Sequence, residues 1–145
     1  MVRQVVGGHS HTLRRHAIQL TIQTEPLLIL GEARRLYQVL EHLLQNAVKF
    51  SPHGSAIEIQ LGRNDTEAWL RVRDHGIGIP PAAQQLIFDR FYRADNFNHL
   101  QISGFGVGLY LVREIITQHA GRIVITSIPD QGSTFDIYLP LVASL

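Results

Sequence analysis

Apolar and polar residues alternate at the start of the readable chain. Ile18, Leu20 and Ile22 are set against Gln19, Thr21 and Gln23, the two-residue period of a half-buried strand. Glu25-Pro26 marks a turn. The short apolar run Leu27-Leu28-Ile29-Leu30, stopped by Gly31, predicts a second strand. The period then lengthens. From Glu32 to Phe50, Leu36, Val39, Leu40, Leu43, Leu44 and Ala47 recur on one face of a helix, which Ser51-Pro52-His53-Gly54 ends. At roughly 100° per residue, His42, Asn46 and Lys49 fall side by side on one flank of that face.

Alternation returns at Ile57, Ile59 and Leu61, and again over Ala68-Trp69-Leu70-Arg71-Val72-Arg73. The polar turn Gly62-Arg63-Asn64-Asp65 joins the two as a hairpin that delivers Asp74. Pro80-Pro81 opens a short predicted helix from Ala82 to Ile87, followed by Phe88-Asp89-Arg90-Phe91-Tyr92-Arg93. Ala94 to Ser103 is polar and aperiodic. Beyond Gly104-Phe105-Gly106-Val107-Gly108, a helical spacing of Leu109, Leu111, Val112, Ile115 and Ile116 runs to Ala120-Gly121. Two strands close the pattern, Ile123 to Ser127 and Thr134 to Leu139, joined by Ile128-Pro129-Asp130-Gln131-Gly132.

The chain has 145 residues, of which 45% are hydrophobic, which suits one domain with a real core. Residues 1–12 read as a flexible N-terminal segment and 13–145 as the domain. A formal charge of +1 gives no reason to expect nucleic acid or an anionic membrane as partner. No apolar run approaches the length of a transmembrane helix, so no direct membrane contact is expected. There is no cysteine, which excludes disulfides, thiolate metal sites and cysteine nucleophiles and is compatible with a reducing cytoplasm.

Candidate chemistry gathers in three places. Asp74-His75-Gly76-Ile77-Gly78-Ile79-Pro80 puts a carboxylate at a strand's end before two glycines, which suits an amine-bearing flat ring such as adenine. The plainer reading is a glycine-rich turn with a capping Asp. His42, Asn46 and Lys49 either form a solvated helix edge or place an amide and the only lysine beside a ligand. The glycines from Gly104 to Gly108 run into a helix N-terminus, a favourable phosphate site. They make neither a Walker loop nor a dinucleotide fingerprint. His9, His11 and His16 are weighed as a weak metal site against a solvated segment.

Together, in order, these stretches resemble the catalytic, ATP-binding domain of sensor histidine kinases. Glu41-His42-Leu43-Leu44-Gln45-Asn46-Ala47-Val48-Lys49-Phe50 resembles the N box, Asp74 to Pro80 the G1 box, and Ile87 to Arg93 the F box. Gly104 to Leu109 resembles the G2 box, and Gly132-Ser133-Thr134-Phe135 the motif of the final hairpin. The resemblance spans about Leu13 to Leu141.

It implies an α/β two-layer sandwich of the ATP-binding Bergerat type. A mixed sheet packs on helices, as in gyrase, the Hsp90 chaperones and the MutL proteins. Asp74 would receive the adenine amino group, with Gly76, Gly78 and Thr134 beside it. Asn46 would bind the Mg²⁺ that bridges the ATP phosphates, and Lys49 would touch them. Phe50 or Tyr92 would lie against the nucleotide. Gly106 and Gly108 would hinge a lid over 95–103 and present amides to the phosphates, and Gly104, Val107 and Leu109 would also bind the nucleotide.

Two positions depart from the family pattern: His42 stands where Asn is usual, which makes it a doubtful metal ligand, and Glu32 where Asp is common. None of the eight histidines has surroundings like the family's phosphoacceptor motif. The resemblance therefore implies a protein histidine kinase catalytic domain that phosphorylates a histidine on separate dimerisation helices. A response regulator receiver domain would be an indirect partner and the isolated domain a monomer. The alternatives are an ATPase or switch of the same superfamily, a nucleotide-binding module without transfer, and a serine kinase of the anti-sigma type.

Overall fold

The computed structural model describes residues 1–8, 17–23, 27–51, 54–89 and 107–142. Among these residues nine elements occur, in the order α1 (Val2–Gly8), β1 (Ile18–Ile22), α2 (Ala33–Lys49), β2 (Ile57–Arg63), β3 (Glu67–Arg73), α3 (Pro81–Gln84), α4 (Val107–Gln118), β4 (Arg122–Ile128) and β5 (Gly132–Pro140). The strands form one mixed sheet in the order β1-β2-β3-β5-β4. β1 pairs with β2 in parallel, and the other neighbours are antiparallel. Helix α2 supplies the crossover that a parallel pair requires.

Strand alternation decides what faces the helices. Ile57, Ile59, Leu70, Val72, Phe135 and Ile137 are buried and meet Leu36, Val39, Leu43, Leu44, Val112, Ile115 and Ile116 in a single core. The opposite face carries charge, such as the bidentate pair between Arg71 and Asp136 (2.7 and 3.2 Å) and the Arg122–Glu67 pair. The two-layer α/β sandwich implied by the resemblance is what forms.

Helices α2 and α4 lie together on the inner face. His119, just beyond α4, ties their ends. Its Nε2 accepts the Glu32 N–H (3.1 Å) and its Nδ1 donates to the Ile115 carbonyl (2.7 Å), which fixes the neutral ring's tautomer. The Glu32 side chain makes no cap of its own.

Three expectations are corrected. Residues 2–8 of the expected flexible segment form α1, because Val2, Val5 and Val6 share a helical face and Val5 is buried against the core. Leu27–Leu30 is not a strand: only Ile29 bridges to Leu141, while Leu28 and Leu30 are exposed. The helix after Pro80 is shorter than predicted, ending at Gln84 before a run of turns.

Candidate nucleotide site

Asp74 stands where β3 ends, and the sheet ladder runs directly into it. Its N–H donates to the Ser133 carbonyl (2.9 Å). Its Oδ1 accepts the N–H of Gly76 (3.0 Å) and of Ser133 (3.3 Å). Oδ2 takes no hydrogen bond from the described residues. The residue is 2% exposed. Burial pushes its carboxyl above the ordinary range, against the two backbone N–H groups and the nearby His75, which lower it. His75 itself turns to Glu58 on the outer face (3.1 Å).

The loop after Asp74 is pressed between two walls. A side-chain carbon on Gly76 would overlap the Phe50 carbonyl, which also accepts the Ile77 N–H (2.9 Å). Gly78, at φ +69°, lies against the Ile128 carbonyl of the β4–β5 turn. These glycines thus admit neighbouring backbone on both sides, whatever they also allow a ligand to do.

Helix α2 runs past this loop to α4. At its end, the carbonyl of Phe50 meets the Asp74 loop. Two turns earlier, the His42 ring lies beside Gly108 in the first turn of α4, 3.1 Å from where a side-chain carbon would stand. Burial is the main reason the His42 pKa is lowered; Lys49 lowers it too, while Glu41 opposes. Asn46 lies between these two ends on the same flank. Its Nδ2 is buried without a partner among the described residues. Because amide N and O are assigned rather than seen, Asn46 offers the site one unsatisfied polar atom of either kind. Lys49 is exposed at the helix end.

Other expected residues fall elsewhere. The Phe50 ring belongs to the core, so its carbonyl rather than its ring faces the loop. Leu109 likewise buries its side chain in the core. Phe88 is buried too, with the Arg113 guanidinium 6.0 Å from its ring centre. Thr134 points to the outer face, because Phe135 and Ile137 occupy the inner one; Ser133, not Thr134, adjoins Asp74. The parity set by Phe135 could have revealed this. Val107 opens α4. Tyr92, Gly104, Gly106, the 95–103 lid and the His9–His11–His16 cluster lie outside the described residues. Among the described residues, no three His, Cys, Asp or Glu side chains converge to hold a metal, and no helix is long and apolar enough to cross a membrane.

Residues 31–143 match the family described as "Histidine kinase-, DNA gyrase B-, and HSP90-like ATPase". The chain is 34% identical over 139 residues to the sensor-like histidine kinase SenX3 of Mycobacterium tuberculosis, covering 90% of this chain and 34% of that protein. It is 32% identical over 144 residues to the sensor histidine kinase MtrB of Mycobacterium leprae, covering 98% of this chain and 25% of MtrB. The chain therefore spans about a third or less of these relatives' length. Among solved structures, the mycobacterial sensor histidine kinase MprB superposes with a TM-score of 0.87 at 26% identity, covering 97% of this chain and 93% of that one. Full-length ShkA in complex with AMPPNP superposes at 0.84 and 26% identity, covering 99% of this chain and 30% of ShkA.

Proposed function

The chain belongs to the histidine kinase-, DNA gyrase B- and HSP90-like ATPase family, as a catalytic and ATP-binding domain of the histidine kinase type, and from that premise we propose that it binds Mg-ATP and presents the γ-phosphoryl to a histidine on a separate dimerisation segment. The observation that carries this reading is the buried Asp74 carboxylate, with Oδ1 held by two backbone N–H groups and Oδ2 left for a ligand. An adenine amino group is a neutral donor of the right kind for that oxygen. Resemblance to ShkA, solved with AMPPNP, points the same way.

The remaining roles follow from position along α2. Asn46, whose buried amide has an atom without a partner among the described residues, would hold the ion that accompanies the phosphates. A hard amide oxygen, with phosphate oxygens and water, is a donor set that suits Mg²⁺, which would neutralise phosphate charge when bound. Lys49, exposed one turn further on, meets the phosphates as a point charge. The free amides at the start of α4 would add to the same neutralisation. Transfer needs little covalent help from the protein, so positioning and charge are what these residues supply.

Hydrolysis is disfavoured by His42. In the ATPase branch a Glu one turn before the Asn activates water. His42 occupies that position, and burial makes it a weaker base than an ordinary imidazole. The receiver domain of a response regulator would be the eventual phosphate acceptor, and a need for ATP would fit a cytoplasmic location.

The phosphate assignment is tested by Lys49→Ala. Calorimetric titration should show ATP affinity falling by about 1 kcal/mol or more while adenosine affinity stays unchanged. Equal losses for both would make Lys49 a support of the fold.

A further inference from the structure

The turn between β4 and β5 does more than join two strands. Ser127, the penultimate residue of β4, pairs in register with Ser133. Its hydroxyl meets three groups on two other segments. It accepts the Ile79 N–H (2.8 Å), donates to the Gly132 carbonyl (3.1 Å) and stands 2.8 Å from the Ser133 Oγ. The Gln84 amide closes the same knot from α3, donating to the carbonyls of Ile79 (2.9 Å) and Ser127 (2.8 Å). From the turn itself, the Asp130 N–H donates to the Ile77 carbonyl (2.7 Å).

Proton counting shows how tightly this is determined. Ser127 has one hydroxyl proton. With that proton on the Gly132 carbonyl, its oxygen can accept from both Ile79 N–H and the Ser133 hydroxyl. Every group is then satisfied without solvent, in a place where Ser133 is 2% exposed. Removing the Ser127 oxygen strands the Ile79 N–H and the Ser133 hydroxyl together, while the Gly132 carbonyl keeps its place in the β4–β5 ladder.

The loop from Asp74 to Pro80 is consequently held at two ends by different means. The sheet holds Asp74 through Ser133, and a side chain holds Ile79 through Ser127. We infer that Ser127 is a positioning residue for the nucleotide base, fixing the depth and tilt of the 74–80 loop so that the Asp74 carboxylate and the Gly76–Gly78 backbone face one flat ring. This rests on the reading that adenine sits at Asp74. Ser127 acts through Ile79 and Ser133.

The experiment measures the binding of three probes to the full chain by calorimetry: adenosine, ADP, and inorganic tripolyphosphate with Mg²⁺. Ser127→Ala should weaken adenosine and ADP by the same factor, about tenfold, and leave tripolyphosphate unchanged. Ser127→Thr, which keeps the hydroxyl, should restore both. Gln84→Ala should shift them the same way by less, and it carries the test if Ser127→Ala does not fold.

Unchanged adenosine affinity in a folded Ser127→Ala protein, or in Gln84→Ala where the serine variant is unfolded, overturns the inference. So does a loss shared by all three probes that threonine fails to rescue, since that is a general loss of structure. Asp74→Asn separates the two levels. If it abolishes adenosine binding while Ser127→Ala does not, only the role of Ser127 falls. If it binds adenosine as before, the adenine site falls and Ser127 with it.

Discussion

Asp74→Asn is expected to move stability and binding in opposite directions. The buried carboxyl has its pKa raised, chiefly by burial. Between the ordinary carboxylate pKa and that raised value, the folded state therefore holds more protons than the unfolded one. Stability falls as pH rises through this window, and the burden of the buried charge is fully present above it. An asparagine can keep its oxygen on the N–H groups of Gly76 and Ser133 while removing the charge. The nucleotide-free variant should thus melt at a higher temperature than the parent at neutral pH, with the difference vanishing below the ordinary carboxylate range. Its NH₂ group would face the adenine amine as donor against donor. One lost buried bond to a charged group is worth about 1.5–3 kcal/mol, so ATP affinity should fall by at least tenfold. Melting curves across pH and calorimetric titration with ATP check both halves. A variant that binds ATP normally would remove Asp74 from the site.

The second large effect is a complete absence of self-phosphorylation. The γ-phosphoryl must meet an imidazole nitrogen in line and at contact distance, and much of the rate comes from holding that geometry. Each described histidine is already committed. His119 binds Glu32 and Ile115 where α2 begins, His75 faces Glu58 on the outer surface of the sheet, and His42 is packed beside Gly108. Radiolabelled ATP should leave the chain unlabelled. Adding a fragment that carries a phosphoacceptor helix pair should produce acid-labile, base-stable label on that fragment. Acid-labile label on this chain alone would refute the proposal that the acceptor lies elsewhere.

What the sequence made legible tracks the strength of its periods. Helix α2 was read to within a residue at each end, because its apolar stripe runs unbroken from Leu36 to Ala47 through most of its 17 residues. Each strand of the two hairpins was likewise placed to within a residue or two at each end by alternation. Leu27–Leu30 misled because apolarity alone has no direction: Leu30 is 88% exposed, and one bridge does not make a strand. The helical spacing of Val2, Val5 and Val6 was present but sat beside Gly7-Gly8, which reads as flexible. In the site, Asp74 and the α2 flank were visible as residue types in order. Ser127 and Gln84 were not, because their value lies in hydrogen bonds between segments up to 48 residues apart, and nothing in local spacing announces those.

Because the sheet ladder continues past Arg73 and Thr134 into the Asp74 N–H, the two ends of the 74–80 loop differ in how they come apart. Opening at Asp74 requires separating β3 from β5, two interior strands of the sheet. Opening at Ile79 breaks no ladder bond: its N–H is held by the Ser127 side chain and its carbonyl by Gln84, and the Ile79 side chain must leave the core. Amide hydrogens should record the asymmetry. The Asp74 amide should exchange with solvent deuterium only through global unfolding, and the Ile79 amide through a local event of lower free energy. Fluctuations of the loop therefore hinge at the carboxylate and swing at the far end, so that the atom meant for adenine is the part of the loop that moves least.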